Sequence, residues 1–340
     1  MPHVLACDIG GTNCRLALFS LSKGRLALED LAAIPTAKVA MPDDLVFGLE
    51  FAFGSKAVRE AAALCASVAG PVAQGRASLT NAPLALSEQG LSEALGGMPC
   101  RLANDFEAVS SAVLTEEGAR AELVAGEPCP DLQAVRACCG AGTGFGCSAI
   151  LPQGDGRALI LASEGGHAAF PFTHDEEDFQ RYMAEQWDKR GKGPYASVED
   201  VLSGRGLEGL AKYLGLAGMD AAKLGEKVLG LEEWWLRSPV MLAEGRGPRA
   251  KRELCASYAR FYGRACRDWM LATLCRGGLW IAGGIAIKNR GIARSKAFRD
   301  EIAQGRHARM LKAIPVYLFN SETAGLWGAA RLAAERIKPS

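Results

Sequence analysis

The chain has 340 residues, of which 49% are hydrophobic and 23% are charged, and its formal net charge at pH 7 is +1. This composition supports one large core or two ordinary ones, and the near-zero charge excludes a whole-molecule field that would attract nucleic acid or acidic lipid. No run of ~18 to 20 apolar residues predicts a membrane span, and the first residues do not resemble a signal peptide, so we expect a cytoplasmic protein.

Cysteine and histidine usage argues against disulfides and structural metals. The eleven cysteines contain no Cys-x-x-Cys pair, and several lie within apolar strand or helix patterns. Reduced thiols in such positions behave as small hydrophobic side chains, so we expect free, structural cysteines. The four histidines have no spacing typical of a zinc site.

The first segment, Val4–Phe19, predicts a β-hairpin with a polar turn: an apolar run ends at Asp8, two glycines and a hydroxyl follow, and apolar residues then resume. The glycines lack Cβ, so their N–H groups can converge on a phosphate oxygen, and the two polar residues after them add donors. Asp8 is placed to hold the hydrated Mg²⁺ that accompanies a nucleotide. Alternatively, the turn is only a tight hairpin that the aspartate caps. The candidate phosphate ligands are Gly10, Gly11, Thr12 and Asn13.

Between the hairpin and residue 131, the pattern predicts strands that alternate with helices, which indicates a mixed or parallel sheet. The expected elements are a strand at Arg25–Leu31, an interrupted helical pattern at Asp43–Cys65, a buried strand at Leu64–Gly70, an edge hairpin at Val72–Leu79 and a short helix at Leu91–Leu95. The stretch Thr115–Asp131 is rich in Glu, Gly and Pro and is expected to form a loop between two lobes.

Asn104 and Asp105 lie just past a predicted strand that ends at Leu102-Ala103. In open α/β sheets ligands collect beyond the carboxyl ends of the strands, so a reacting group is expected here. A helix is predicted over Phe106–Leu114, and the aspartate is alternatively no more than its N-cap.

A second segment, Ala137–Leu151, repeats the pattern of strand, Gly-Thr turn and returning strand, with Thr143 in the position of Thr12. Two similar turns in one chain predict two halves of the protein that face one ligand. The candidate phosphate ligands of the second turn are Gly142, Thr143 and Gly144.

Two further stretches carry candidate ligands for a polar molecule. The glycine turn Glu164–His167 follows a predicted strand at Arg157–Ser163, and a carboxylate and an imidazole there present an acceptor and a donor to neighbouring hydroxyls of a ligand. A lone histidine is otherwise more often structural. The stretch Ser197–Asp200 predicts a helix start with a capping box, in which Glu199 could merely complement the helix dipole.

The rest of the chain predicts long helices and two strands. These are helices at Asp175–Trp187, Leu207–Leu236 with breaks, and Arg252–Cys275, a strand at Leu279–Ala282, a last strand at Pro315–Phe319 and a closing helix at Ala324–Ile337. Gly283 and Gly284 follow the first of these strands, where a glycine pair often just makes a turn.

Several strings together resemble a known family. Asp8–Asn13 and Gly140–Gly146 look like the two phosphate loops of the actin, Hsp70 and sugar-kinase superfamily, and the strand before Gly283-Gly284 resembles its adenosine motif. Three further strings narrow the resemblance to the bacterial glucokinase family, in the family's order: Leu102–Phe106, Glu164–His167 and Glu199–Gly204.

This resemblance implies an α/β, two-lobed actin-like ATPase (ribonuclease H-like) fold with an interlobe cleft, a small domain over 1–113 and 320–340, and a large domain over 114–319. It implies phosphorylation of glucose by ATP with Mg²⁺, in which Asp105 is the general base on the sugar 6-hydroxyl. The implied sugar ligands are Asn104, Asp105, Glu164, His167 and Glu199. The implied nucleotide ligands are Asp8, Gly10, Gly11, Thr12, Asn13, Gly142, Thr143, Gly144, Gly283 and Gly284.

The expected partners are therefore a hexose, ATP and a second copy of the chain in a homodimer. We expect neither nucleic acid nor a membrane as a partner. The alternatives are a hexokinase of broader or different sugar specificity and a nucleotide-switch protein of the Hsp70 or actin type. The second offers no reason for Asn104-Asp105 together with Glu164 and His167. A ROK sugar kinase would typically carry a cysteine-rich zinc motif after its sugar-binding histidine, and nothing like it follows His167.

Overall fold

The computed structural model describes residues 1–78, 85–129, 131–154, 157–188, 195–216 and 247–337. The chain divides into two compact units: unit 1 is Met1–Arg120 with Thr323–Ser340, and unit 2 is Ala121–Glu322. The domain limits expected from the sequence stay a prediction. Residues 217–236 of the predicted helical stretch Leu207–Leu236 lie outside the described residues.

The two units contain fourteen strands and fourteen helices among the described residues. The strands are β1 (His3–Ile9), β2 (Asn13–Ser22), β3 (Arg25–Pro35), β4 (Ala63–Val68), β5 (Val72–Ala73), β6 (Arg76–Ser78), β7 (Ala85–Ser87), β8 (Cys100–Asn104), β9 (Glu122–Ala125), β10 (Arg136–Ala141), β11 (Phe145–Pro152), β12 (Ala158–Ser163), β13 (Gly278–Ala282) and β14 (Val316–Leu318). The helices are α1 (Pro42–Phe53), α2 (Ser55–Arg59), α3 (Glu88–Ala94), α4 (Asp105–Ala112), α5 (Glu116–Ala119), α6 (Glu177–Asp188), α7 (Val198–Leu202), α8 (Gly204–Tyr213), α9 (Gly247–Thr273), α10 (Gly284–Lys288), α11 (Gly291–Arg294), α12 (Lys296–Ile302), α13 (Ala308–Ala313) and α14 (Ala324–Ala334).

Unit 1 is built on a five-stranded sheet in the order β3-β2-β1-β4-β8. The strands β1 and β2 form the predicted antiparallel hairpin, whereas β4 runs parallel to both β1 and β8. The carboxyl ends of these three parallel strands meet at one edge of the sheet. Asp8 and Asn104 lie at that edge, so the sheet topology brings two separate sequence motifs to the same place.

The closing helix α14 packs on the sheet and on α4 in unit 1. A Cβ at Gly328 would lie 1.6 Å from the carbonyl oxygen of Ala108, so only glycine allows the two helix backbones to approach this closely. Phe19 and Trp327 meet edge to face with ring centroids 5.0 Å apart. The helix that begins with Asp105 therefore packs tightly against the returning end of the chain.

Unit 2 is built on a six-stranded sheet in the order β12-β11-β10-β13-β14-β9. The predicted second hairpin forms between β10 and β11, and β13 runs parallel to both β10 and β14. The long helix α9 contributes fully buried aromatic side chains to the core of this unit, including Tyr258, Phe261 and Tyr262.

Two predictions of secondary structure are wrong. The stretch Thr115–Asp131 is not only a loop, because it contains α5 and the strand β9, which pairs antiparallel with β14. The helical pattern over Asp43–Cys65 also extends too far, since α2 ends at Arg59 and the last apolar residues belong to β4. A short apolar run fits a buried helix or a buried strand equally well, and here pairing with β1 and β8 selects the strand.

No helix among the described residues is long and apolar enough to cross a membrane. All eleven cysteines are free thiols.

Candidate functional site

The first polar turn joins β1 to β2 and is held from outside by Thr36. The Gly10 N–H donates to the carbonyl of Asn13 at 3.0 Å, and the buried Thr36 hydroxyl donates to the carbonyl of Gly10 at 2.7 Å. The Thr36 N–H donates to the carbonyl of Thr12 at 2.9 Å. A Cβ built on Gly11 meets no heavy atom within 4 Å. No contact within the described part of the chain demands glycine at position 11, so the open space beside its backbone is available to a ligand.

Asp8 lies at the end of β1 beside this turn. The Ser67 hydroxyl donates to its Oδ1 at 3.2 Å, and the Arg15 Nη1 lies 3.7 Å from its Oδ2. Burial raises the pKa of Asp8 above its usual value, and the Arg15 charge and the Ser67 hydrogen bond oppose that rise. In the described part of the chain no three His, Cys, Asp or Glu side chains are grouped to hold a metal ion. A single carboxylate nevertheless suits Mg²⁺, which keeps most of its water ligands, so Asp8 fits the hydrated ion.

Asp105 is the first residue of α4 and is held by the cap that precedes it. The Asn104 Oδ1 accepts the Phe106 N–H at 2.9 Å, and the Asn104 amide donates to the carbonyl of Gly70 at 3.1 Å. The Asp105 Oδ1 also accepts the Phe106 N–H, at 2.8 Å. The N-cap of α4 is Asn104. The alternative that Asp105 is no more than the N-cap is therefore wrong.

Burial raises the pKa of Asp105 to about 6, and the charge of Asp8 contributes to the rise, whereas the Phe106 N–H and Asn104 oppose it. A pKa this close to neutral pH suits a group that accepts a proton in catalysis. In unit 1 the structure thus brings together the first turn, Asp8 and Asn104-Asp105 at one edge of the sheet.

The second polar turn joins β10 to β11 and contains two glycines of different kinds. A Cβ at Gly142 meets nothing within 4 Å, so this position is open to a ligand. A Cβ at Gly144 would lie 2.5 Å from the Glu199 Oε2, and the same oxygen accepts the Phe145 N–H at 3.1 Å. A side chain at 144 would therefore displace the Glu199 carboxylate from this position. Thr143 between them is exposed.

Glu199 is brought to the turn by a well-capped pair of short helices. Ser197 is the N-cap of α7 and forms the predicted capping box with Asp200, and Ser203 is the N-cap of α8. The Gly204 N–H at the start of α8 donates to the carbonyl of Gly142 at 3.0 Å. These contacts fix α7 and α8 against the second turn.

Glu164 immediately precedes a single 3₁₀ turn, Gly165–His167, which packs on β11. The Glu164 Oε2 lies 3.5 Å from the His167 Nε2, and both side chains are exposed. A Cβ at Gly166 would lie 2.0 Å from the carbonyl oxygen of Phe145, so glycine is required by the contact with β11. The Val198 N–H donates to the carbonyl of Ala168, the residue after His167, at 2.9 Å. The same backbone therefore positions the His167 turn and the helix that carries Glu199.

The glycine pair after β13 lies beside the second turn. Gly283 has φ +85°, and a Cβ there would lie 2.3 Å from the carbonyl oxygen of Ala141, so the position requires glycine on both counts. A Cβ at Gly284 would lie 2.9 Å from the Glu322 Oε1. Unit 2 thus brings together the second turn, Glu164, His167, Glu199 and Gly283-Gly284.

Sequence reasoning missed the residues that hold these motifs in place. Thr36 and Ser67 bind the first turn and Asp8, as described above. In unit 2 the Tyr262 hydroxyl lies 3.3 Å from the Ala141 nitrogen and 3.4 Å from the Ala282 oxygen, where β10 and β13 end. No local pattern marks these side chains, because their partners are distant in the sequence.

Comparisons with known proteins show the family of the chain. The sequence model of the glucokinase family matches residues 5–336. The glucokinase of Ralstonia nicotianae is 30% identical over 330 residues, which cover 95% of this chain and 93% of that protein. The glucokinase of Chromobacterium violaceum is 31% identical over 344 residues, which cover 99% and 91%.

Solved structures show the fold. A glucokinase from an Antarctic psychrotroph superposes with a TM-score of 0.79 at 24% identity and covers 98% of this chain and 99% of that one. A ROK family glucokinase from Streptomyces griseus, solved with glucose and AMPPNP, superposes with a TM-score of 0.60 at 20% identity, covering 98% and 99%. The predicted α/β fold of the actin-like ATPase class is confirmed. From the family match and the curated relatives, the chain belongs to the glucokinase family.

Proposed function

We propose that this sugar kinase transfers the γ-phosphoryl group of ATP to the 6-hydroxyl of glucose, with Asp105 as the general base. The observation that carries the proposal is the Asp105 carboxyl itself. It is largely buried at the carboxyl edge of the sheet of unit 1, it is oriented by hydrogen bonds, and its pKa is raised to about 6. A base with such a pKa is mostly ionised at pH 7 and is still basic enough to accept a proton as the reaction proceeds.

In this reaction the sugar O6 forms a bond to the γ-phosphorus, the bond from phosphorus to the β,γ-bridging oxygen breaks, and the O6 proton passes to an Asp105 carboxylate oxygen. Phosphoryl transfer needs little covalent chemistry from a protein beyond positioning and charge stabilisation. Mg²⁺ near Asp8 would neutralise charge on the phosphates. Asp105 needs only to hold the hydroxyl and take its proton.

The other polar groups bind and orient the two substrates in this proposal. The open backbone at Gly11 supplies an N–H donor to phosphate oxygens, and the side chains of the two turns are further donors. The Gly142 N–H donates to the carbonyl of Gly144 at 2.8 Å, so Gly142 contributes open space beside the turn. Asn104, Glu164, His167 and Glu199 hold the remaining sugar hydroxyls, for which carboxylates, amides and an imidazole are suitable partners. Gly283 and Gly284 lie along the nucleoside.

A coupled assay for ADP release tests the proposal. The assay covers glucose, mannose, fructose and glucosamine, with ATP, GTP and polyphosphate as donors. We expect ATP-dependent formation of glucose 6-phosphate. A hexokinase of other specificity would show as a stronger response to another sugar. Hydrolysis of ATP without sugar phosphorylation would favour a nucleotide-switch protein and contradict the proposal.

The role of Asp105 is tested by Asp105→Asn, with the exposed Asp30→Asn as the matched control. We expect Asp105→Asn to lower kcat by at least ~10²-fold, the usual contribution of a positioned base, and to leave the affinity for glucose within a few-fold of wild type. Near-normal turnover in this variant would remove Asp105 from the mechanism. A cytoplasmic location and a homodimer also remain proposals, and analytical ultracentrifugation would test the second.

A further inference from the structure

Arg205, the second residue of α8, has no role in the function proposed above. Its side chain is 61% exposed, and its Nη2 lies 3.6 Å from the Glu199 Oε1. That distance is longer than a hydrogen bond, so Glu199 orients the guanidinium through charge and leaves its N–H donors available to a second anion.

The position of Arg205 is fixed relative to the second turn by two separate links. The first is Glu199, whose other carboxylate oxygen accepts the Phe145 N–H and lies against Gly144. The second is the start of α8, where the Gly204 N–H donates to the carbonyl of Gly142. Arg205 therefore stands beside a candidate sugar ligand and a candidate phosphate turn at once.

A guanidinium in this place is suited to bind the phosphoryl group that passes from ATP to the sugar. The phosphoryl group in transfer carries negative charge on three oxygens, and the planar guanidinium binds two such oxygens in parallel. We propose that Arg205 binds the phosphoryl group during its transfer and then the 6-phosphate of the sugar product. Arg205 donates hydrogen bonds and forms no covalent bond. The inference rests on the proposed function, because it takes glucose 6-phosphate to be the product.

The main alternative is that Arg205 only positions Glu199. Binding measurements separate the two roles, because Glu199 is proposed to contact the sugar and not its phosphate. We suggest calorimetric titration of glucose and of glucose 6-phosphate into the wild-type protein, Arg205→Met and Arg205→Lys. The matched control is Arg181→Met, which removes an exposed arginine of α6 that pairs with Asp178. Thermal unfolding of each variant reports whether it is folded.

For Arg205→Met we expect a loss of affinity for glucose 6-phosphate of at least ~10-fold with the affinity for glucose within ~3-fold, since one charge-assisted contact to phosphate is lost. We expect kcat to fall by at least ~10²-fold, as for other donors to charge that develops in the transition state. Arg205→Lys keeps the charge without the planar fork and should lie between wild type and Arg205→Met. Arg181→Met should match wild type.

Equal losses for glucose and glucose 6-phosphate in Arg205→Met would overturn the inference in favour of a role through Glu199. Unchanged binding of glucose 6-phosphate would overturn it as well. If Arg205→Met fails to fold, the same comparison for Arg205→Lys decides between these outcomes. If the wild-type protein phosphorylates no hexose, the proposed function is contradicted, whatever the Arg205 variants show. If it also fails to bind glucose 6-phosphate, the proposed function and the role of Arg205 are both overturned.

Discussion

Replacing Asp105 by asparagine is expected to stabilise the folded protein above about pH 6, even though it impairs catalysis. The cause is the burial of the ionised carboxylate beside the charge of Asp8, which raises the pKa of Asp105 from 3.8 to about 6. The rise of about two pKa units corresponds to about 3 kcal/mol, at 1.36 kcal/mol per unit. Asparagine removes the charge and keeps an oxygen that can accept the Phe106 N–H.

The sign of the pH dependence follows from the direction of the shift. The folded-state pKa lies above the unfolded one, so the folded protein binds the proton more tightly, and the free energy of unfolding of the wild type falls as the pH rises from about 4 to about 6. The variant has no such group. The free energy of unfolding of Asp105→Asn should therefore be close to that of the wild type at about pH 4. The difference between the two should reach its full size above about pH 6.5.

Urea unfolding followed by circular dichroism at several pH values measures this difference in the free energy of unfolding. Asp30→Asn is the control, because Asp30 is exposed on β3 and its substitution should have no comparable effect. Equal stability of Asp105→Asn and wild type at pH 7.5 would show that the ionised Asp105 carboxylate does not destabilise the folded protein. So would a stabilisation that is independent of pH.

Three further substitutions test the first polar turn and the turn that carries His167. Gly11→Ala should change the free energy of unfolding by less than ~0.5 kcal/mol, since its Cβ meets open space, yet raise the KM for ATP by ~10-fold or more in steady-state assays; an unchanged KM would argue against phosphate at this backbone. Thr36→Val should destabilise by about 1–3 kcal/mol in urea unfolding, because the carbonyl of Gly10 loses its buried donor; a neutral effect would mean that water replaces the hydroxyl. Gly166→Ala should lower thermal stability and raise the KM for glucose, because its Cβ would lie 2.0 Å from the Phe145 oxygen; an unperturbed variant would show that the turn does not pack as described.

The local patterns predicted most of the strands and the two turns. The hairpins β1–β2 and β10–β11 each combine apolar strands with a glycine-rich polar turn, a pattern that depends on neighbours in sequence. The capping box at Ser197 is local in the same way and is confirmed. By contrast, β9 has only four residues, Glu122–Ala125, and becomes a strand through pairing with β14, almost 200 residues away. No window of the sequence contains that information.

The same distinction applies to the candidate site. The sequence predicted which residue types line it, but it did not predict the reason for each glycine. Gly11 and Gly142 face open space, whereas Gly144 leaves room for the carboxylate of Glu199, which is 55 residues further along the chain. The contact between Glu199 and the second turn comes from tertiary packing, and Glu199 in turn lies beside Arg205.

The proposed reaction depends on Asp105 as the proton acceptor, and the pH dependence of kcat/KM for glucose tests this role most directly. At subsaturating ATP, where free enzyme predominates, kcat/KM should be flat near neutral pH and fall tenfold per pH unit below about pH 6, as the Asp105 carboxylate becomes protonated in the free enzyme. The residual activity of Asp105→Asn should lack this acidic limb. A wild-type profile that stays flat down to about pH 4.5, or an acidic limb that persists unchanged in Asp105→Asn, would contradict the assignment of Asp105 as the base.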